Sequence, residues 1–325
     1  MNYGKSNLSR RKKRISSKKR MKKKRVGVRL FKAFVLCILL LGIVGVAAGG
    51  VFVKHVIDNT PEVTAKDILP QGYTTSIVDQ NGTVLEQLKD SDSNRVYKKY
   101  DEISKYMGDA FVAIEDERFY KHNGIDLQGI MRAAMITVSD GEMSQGASTI
   151  TQQLLKNNVF NAYNESTMEK IKRKVQEQYL AIKLETVMSK DKILENYLNT
   201  INLGNGYYGV QAAANGYFDK DVSELSLSEC AVLASITKNP SRLNPLRNPD
   251  DNKDRQIAVL NNMLTQEYIS SEEYSEAVED DVYARLEGID VSATASSTNY
   301  SYFVDEVIEQ LINDLMEQKG YSKQQ

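Results

Sequence analysis

The sequence has two cysteines and two histidines among its 325 residues, so it is poor in the side chains that build disulfide frameworks and metal sites. It also has no tryptophan. With 41% apolar residues as well, this composition excludes a collagen, a disulfide-rich mini-protein and a wholly disordered chain. Cys37 lies within a long apolar run and Cys230 in a second apolar stretch, so we expect no disulfide between them. His55 and His122 alone give little support to metal chelation by imidazole.

Acidic residues are absent from positions 1–32, which hold 15 of the 42 lysines and arginines. The rest of the chain has 27 basic and 43 acidic residues, so a basic tail is joined to an acidic body. Such a basic block could bind nucleic acid. Because it directly precedes an apolar run, we interpret it instead as a topology signal that also holds anionic lipid head groups, and we expect no nucleic-acid partner.

Residues 33–53 carry no charge, and at about 1.5 Å per residue their length matches a hydrocarbon core of about 30 Å. A cleaved signal peptide would have a shorter apolar region, of about 7–15 residues. We therefore predict an uncleaved membrane anchor. By the positive-inside rule, the tail lies in the cytoplasm and the chain from residue 54 onward is extracellular or periplasmic.

The body that follows is predicted to be mainly α-helical. Pro61, Pro70 and Gly72 stand among polar residues and indicate a stalk. The next segment alternates apolar and polar residues around Asn81-Gly82, which predicts a β-hairpin at 73–88. Beyond it, apolar residues recur at helical spacing. The predicted organisation is a basic tail, an anchor helix, a stalk, a catalytic domain and C-terminal helices, at 1–32, 33–53, 54–72, 73–268 and 269–325.

The segment AIEDERFYKHNGID, at 113–126, clusters charged residues around two aromatic ones. Most charge runs are solvated helix ends, and that interpretation remains open here. On a helix, however, Phe119 lies four residues after Glu115 on the same face, so this carboxylate borders an apolar surface. A carboxyl group beside apolar side chains can act as an acid or base near neutral pH.

The segment QGASTITQQLLKN, at 145–157, predicts a helix that begins after small residues and presents Gln152, Gln153 and Lys156. Ser148 and Thr149 also fit a simple helix cap, which is the structural alternative. Capping would not require two adjacent amides and a lysine. Amides and hydroxyls at a helix N-terminus are suited to bind sugar hydroxyls or anionic oxygens.

The segment KRKVQEQYLAIKLE, at 172–185, places Arg173 and Glu177 four residues apart. The structural alternative is an intrahelical salt bridge, worth about 0.2–0.5 kcal/mol. The functional interpretation is that Arg173 and Lys174 hold a diphosphate while Glu177 supplies a second carboxylate. Two carboxylates from separate helices, together with cations, suit transfer of a glycosyl group from a phosphate ester.

The segment GNGYYG, at 204–209, matches the GxGxxG pattern of dinucleotide-binding sites. The residues before it, KDKILENYLN, have helical rather than strand character, whereas that fingerprint requires a preceding strand. We therefore predict no dinucleotide site in this segment.

Five segments, in order, resemble the motifs of the family 51 peptidoglycan glycosyltransferases: EDERFYKHNG, GASTITQQLLKN, RKVQE, KILENYLNTINLGNGYYGVQAAANGYF and LSLSECAVLASITKNPSRLNP. They cover about residues 115–245. The resemblance implies a lysozyme-like α bundle with a membrane-proximal jaw. It also implies lipid II and the growing glycan chain as substrates, at the membrane, alongside other proteins of cell-wall synthesis and division.

Carried over by position, the resemblance implies that Glu115 is the general base and Glu177 the second catalytic glutamate. The other cleft residues that it implies are Asp116, Arg118, Ser148, Gln152, Gln153, Lys156, Arg173 and Lys174. No cofactor is required by this interpretation, although a divalent cation, Mg²⁺ or Mn²⁺, is compatible with it.

A penicillin-binding transpeptidase domain would need an SxxK motif followed by KTG or KSG. The SxxK matches at 189–192 and 235–238 fall within the glycosyltransferase motifs, and no KTG or KSG follows. Residues 298–315 nevertheless resemble the linker helix that enters such a domain. The expectation is a truncated bifunctional protein, with a natural monofunctional enzyme as the alternative. For function, the alternatives are a lysozyme-like hydrolase and a non-catalytic scaffold.

Overall fold

The computed structural model describes residues 5–70, 75–81, 84–88, 95–140, 146–160, 165–286 and 302–319. The chain divides into two compact units, Met1–Thr60 and Pro61–Gln325. The first unit is one continuous helix, α1, Lys5–Asp58. Its part Val28–Asp58 is long and apolar enough to cross a membrane, and the most apolar 18-residue window within it is not buried. The predicted anchor at 33–53 lies within this helix, which also includes most of the basic tail.

The second unit is mainly helical, as predicted, and has one hairpin at its start. Strand β1, Thr75–Val78, pairs antiparallel with β2, Val84–Leu88, with an irregularity in the register after Ile77. The turn residue Gly82 lies outside the described residues. The helices that follow are α2 Lys105–Glu115, α3 Leu127–Asp140, α4 Ile150–Val159, α5 Thr167–Val187, α6 Lys190–Leu198, α7 Val210–Phe218, α8 Leu227–Ile236, α9 Pro249–Thr265, α10 Ser271–Glu279 and α11 Tyr302–Lys319. Short 3-10 turns cover Tyr100–Glu102, Val222–Glu224 and Val282–Leu286.

Helix α8 lies at the centre of the core, because its sequence LSECAVLASI is almost entirely apolar and every one of its residues is buried. It packs against α2, α9 and α10. Its one buried charge, Glu229, is neutralised by Lys220 at 2.8 Å and by Arg285 at 3.0 Å. These ion pairs hold the N-terminal end of α8, while its buried C-terminal end, at Ile236, leads into the candidate site.

Part of the predicted stalk is packed onto the helical body. Helix α1 continues to Asp58, and Ile68 is fully buried in the core. The side-chain amide of Asn158 donates a hydrogen bond to the Ile68 carbonyl oxygen at 2.6 Å. The large apolar residues after Asp58 in this segment, Val63, Ile68 and Leu69, follow no regular period, so the sequence pattern did not indicate this contact.

Helix α4 is positioned by contacts at its first turn. Thr149 caps the helix and accepts a hydrogen bond from the Gln152 N–H, while its hydroxyl donates to the Gly124 carbonyl oxygen at 2.8 Å. Gly124 has φ of +81°, and a Cβ there would lie 2.5 Å from the backbone of Ala181 in α5. Only glycine fits this close approach, which places the start of α4 beside α5.

Candidate active site

Glu115 is the last residue of α2, and side chains from three other elements converge on its carboxylate. Gln153 of α4 donates its Nε2–H to Oε2 at 3.0 Å. The Thr237 hydroxyl, directly after α8, donates to Oε1 at 2.5 Å. Arg255 of α9 places Nη2 at 3.6 Å from the same oxygen. These three contacts hold the carboxylate in position, and the Glu115 side chain is 15% exposed.

Gln153 is itself oriented by a buried tyrosine. The Tyr197 hydroxyl donates to Gln153 Oε1 at 3.1 Å, which turns the amide nitrogen toward Glu115. Burial raises the pKa of Tyr197 well above its ordinary value, and the Glu115 carboxylate adds to that rise. The hydroxyl therefore stays protonated and keeps donating. Gln153, predicted to contact substrate, is placed by the structure against the predicted base.

Arg255 was missed by the sequence analysis. Burial lowers the pKa of its guanidinium, and the Glu115 carboxylate opposes that shift; an arginine still remains charged near neutral pH. The available signal was its position, four residues before the buried Val259 on the core-facing side of α9. A charged residue on that side indicates a buried partner.

The Asp116 carboxylate is buried and contacts groups of its own chain. Its Oδ2 accepts the Ile150 N–H, at the first residue of α4, at 2.9 Å. His122 Nε2 lies 3.0 Å from both of its oxygens. An anionic group at a helix N-terminus stabilises that helix. In this structure Asp116 thus fixes α4 relative to Glu115.

Arg118 forms an ion pair with Asp126, with Nη2–Oδ2 and Nε–Oδ1 distances of 2.5 and 3.2 Å. Asp126 also accepts the Gly129 N–H at 3.0 Å and so caps α3. Burial would raise the pKa of Asp126, but the Arg118 and Gly129 hydrogen bonds outweigh burial and hold it below its ordinary value. This pair joins the loop after Glu115 to the start of α3.

A second charged cluster lies on α5, where Glu177 is fully buried. Its carboxylate accepts hydrogen bonds from Arg173 and, at 2.6 Å, from Lys174 Nζ. Arg173 also contacts Glu165 at 2.8 Å, and Lys174 donates to the Ser148 hydroxyl at 2.8 Å. The hydrogen bond that Arg173 donates to Glu165 raises the pKa of Arg173, as does the one it donates to Glu177, against a lowering by burial. The intrahelical salt bridge between Arg173 and Glu177 is therefore present, and Lys174 pairs with the same carboxylate.

Helix α4 connects the two clusters. Ser148 precedes α4 and contacts the Glu177 cluster, while Gln153 contacts Glu115. Lys156 is exposed one turn after Gln153, with no contact that holds it elsewhere among the described residues. Gln152 is buried and donates to the Gly124 carbonyl oxygen at 3.2 Å, away from this surface.

Other motifs of the sequence have structural roles. Ser189 caps α6, and the buried Ser235 donates to the Val232 carbonyl oxygen, so both SxxK matches are accounted for by helix geometry. The segment 204–209 follows helix α6, as predicted, rather than a strand. In the part of the chain that the structure describes, no group of three or more His, Cys, Asp or Glu side chains is placed to hold a metal ion.

A comparison with protein families matches residues 81–264 to the family described as Transglycosylase. The chain belongs to this family, which confirms the resemblance seen in the five motifs and the enzyme class that it implies, a peptidoglycan glycosyltransferase. Its relatives include penicillin-binding protein 1A of Clostridium perfringens, 38% identical over 309 residues, which are 91% of this chain and 44% of the relative. Penicillin-binding protein 1A/1B of Bacillus subtilis is 37% identical over 301 residues, or 91% and 32% of the two chains. The chain thus spans less than half the length of these relatives.

Proposed function

We propose that this chain polymerises lipid II into β-1,4-linked glycan strands and that Glu115 is the general base. The observation that supports this most is the convergence of Gln153, Thr237 and Arg255 on the carboxylate of a side chain that is 15% exposed. An ionised carboxylate has about four lone-pair sites. The two hydrogen bonds that Glu115 accepts leave sites free for a substrate proton.

In the proposed step, Glu115 removes the proton from the 4-hydroxyl of the GlcNAc of an incoming lipid II. That oxygen attacks C1 of the MurNAc at the reducing end of the growing chain. The bond from C1 to the α-linked undecaprenyl diphosphate breaks, and the diphosphate leaves with the bonding electrons. Attack from the opposite face inverts C1 and gives the β-1,4 linkage, while the proton remains on Glu115 until it passes to solvent.

The cations near α4 and α5 are suited to balance the negative charge on the leaving diphosphate. Lys174 is held between Ser148 and Glu177, and Arg173 is held by Glu177 and Glu165. Glu177 thus positions both cations in this proposal. Loss of one such preorganised donor typically costs about 3 kcal/mol of transition-state stabilisation. Exposed Lys156, one turn from Gln153, is the third cation assigned to this role.

The carboxylates of this site fit a divalent cation poorly. Glu115 faces Arg255, and Glu177 is already paired with two cationic side chains. No step of the proposal passes through Mg²⁺ or Mn²⁺, which remains a prediction of the resemblance alone.

We further propose that α1 crosses the membrane with the basic tail in the cytoplasm, which leaves the helical unit on the outer side. The charge difference between residues 1–32 and the rest of the chain supports this orientation. A lipid-linked donor stays in the membrane, so an anchored enzyme remains near it. Contacts with other proteins of cell-wall synthesis and division stay a prediction.

The test is product analysis with the full chain in detergent. With purified lipid II, the proposal predicts polymeric glycan and one undecaprenyl diphosphate released for each bond formed. A lysozyme-like hydrolase would instead release fragments from preformed peptidoglycan, because the same paired carboxylates can serve hydrolysis. The absence of both products would indicate a non-catalytic scaffold. Fragment release without polymer, or no product, would overturn the proposal.

A further inference from the structure

The Thr237 hydroxyl lies between two acceptors. Its Oγ1 is 2.5 Å from Glu115 Oε1 and 3.0 Å from the carbonyl oxygen of Ala234, one turn back in α8. A hydroxyl has one proton and can also accept hydrogen bonds. Thr237 can therefore donate to either acceptor, and while it donates to Ala234 it can accept from Glu115.

The position of this hydroxyl is fixed by the fold. Thr237 directly follows α8 with helical backbone angles, φ −50° and ψ −41°, and Ala234 is fully buried. Its branched side chain has few rotamers. The oxygen is thus held in place, and a rotation about the C–O bond is enough to move its proton from one acceptor to the other.

The other two groups that contact Glu115 cannot accept a proton from it. Arg255 has only donors. Gln153 presents its NH₂ group to Glu115, and its oxygen is engaged by the Tyr197 hydroxyl. Among these three contacts, Thr237 alone can serve as an acceptor. Arg255 from α9 is the charged group that contacts Glu115, and Tyr197 of α6 lies close enough for the Glu115 carboxylate to raise its pKa.

We propose that Thr237 is a positioning residue that serves both protonation states of Glu115. While Glu115 is ionised, Thr237 donates to Oε1 and orients the carboxylate for proton removal. After Glu115 has taken the substrate proton, Thr237 turns its own proton to the Ala234 carbonyl oxygen and accepts the O–H of the carboxylic acid. The Thr237 proton stays on Thr237 throughout, and the substrate proton leaves Glu115 to solvent. This inference rests on the proposed function of Glu115.

A measurable consequence is a fall in kcat at a nearly constant KM. Without the hydroxyl, Glu115 loses its orienting partner before proton removal and its acceptor afterwards, so the rate of the chemical step falls. Substrate binding does not use this hydroxyl, so KM stays nearly unchanged.

The test compares kcat and KM of lipid II polymerisation for the full chain, Thr237→Val, Thr237→Ser and a matched control. Thr186→Val is that control, because the Thr186 hydroxyl donates to the Lys183 carbonyl oxygen one turn back, as Thr237 does to Ala234, but is exposed at the end of α5. We expect T237V to lower kcat about tenfold or more at a nearly unchanged KM. T237S and T186V keep the parent kcat.

The outcomes separate this inference from the proposed function. If the parent polymerises lipid II and Glu115→Gln does not, but T237V has the parent kcat, Thr237 has no such role. A T237S variant as impaired as T237V would also overturn the inference, because T237S keeps the hydroxyl that the inference requires. If T237V melts below the T186V control, Thr237→Ala replaces it in the same measurement. A parent chain that does not polymerise lipid II contradicts the proposed function itself.

Discussion

Gln153 is the residue that connects Glu115 to the buried hydroxyl of Tyr197. Gln153→Glu keeps its shape but places a second carboxylate about 3 Å from the first, and two such groups cannot both ionise readily. We expect polymerisation at pH 7 to fall by about 10² or more, with partial recovery at higher pH. Rates across pH measure this, and Gln318→Glu, exposed on α11, is the control for the change in charge. Parent-like rates for Q153E would exclude a role for this amide.

The sequence predicted the site residues that belong to local motifs. It did not predict the site residues that are distant in the chain. Glu115, Gln153 and the α5 cations were expected, because each stands within a short pattern of its own. Thr237 stands 122 residues after Glu115 and Arg255 stands on another helix, so their contacts depend on how α8 and α9 pack. The roles of Gln152 and Gln153 could not be distinguished from the sequence, because the pattern does not show which of the two amides faces the core.

The contribution of Asp126 to the stability of the start of helix α3 can be tested by substitution. Asp126→Asn keeps a residue suited to cap α3 but removes the charge that pairs with Arg118. The pKa of Asp126 is lowered in the folded state, so its stabilisation is complete above the ordinary value of about 3.9 and is lost as the pH falls through the lowered one. We expect D126N to cost about 1–2 kcal/mol at pH 7 and less at pH 3, below the ordinary pKa. Unfolding midpoints at both pH values measure this, and an equal cost at both would contradict it.

Most helices and the hairpin were predictable because their apolar periodicity persists over several turns or along both strands. The burial of Ile68 was not predictable, because the few apolar residues around it, Val63 and Leu69, form no regular period with it. Only the apolar part of helix α1, at 33–53, was predicted to be helical. Its basic half lacks an apolar face, so hydrophobic periodicity could not indicate a helix there.

The orientation of the whole chain is tested by chemical labelling. In a Cys37→Ala background, a cysteine replacing Ser6 should react with a membrane-impermeant maleimide only after permeabilisation. One replacing the exposed Ser271 of α10 should react without it. Cys230 is fully buried and serves as the internal negative control. The reverse pattern would place the proposed site in the cytoplasm and contradict its access to an outer substrate.

Helix α11 has apolar side chains that the rest of the molecule does not cover. Leu311 is 50% exposed and Leu315 is 37% exposed. A fully buried leucine would contribute about 1.5–3 kcal/mol, so these exposed side chains add little to stability. We expect deletion of residues 302–325 to leave the melting temperature and the polymerisation rate unchanged. A fall of many degrees in a thermal melt would show that α11 docks on the body.

The central claim, that Glu115 is the base of a lipid II polymerase, is tested most directly by comparing two neighbouring glutamates. Glu115→Gln keeps the shape of the side chain and removes the base. Glu117→Gln is the matched control, because Glu117 is 43% exposed and pairs with Arg132 at 3.0 Å. With both variants melting as the parent does, we expect E115Q to lose about 10²–10⁴ in polymerisation rate and E117Q to retain it. An E115Q variant that polymerises at more than about a tenth of the parent rate would contradict the claim.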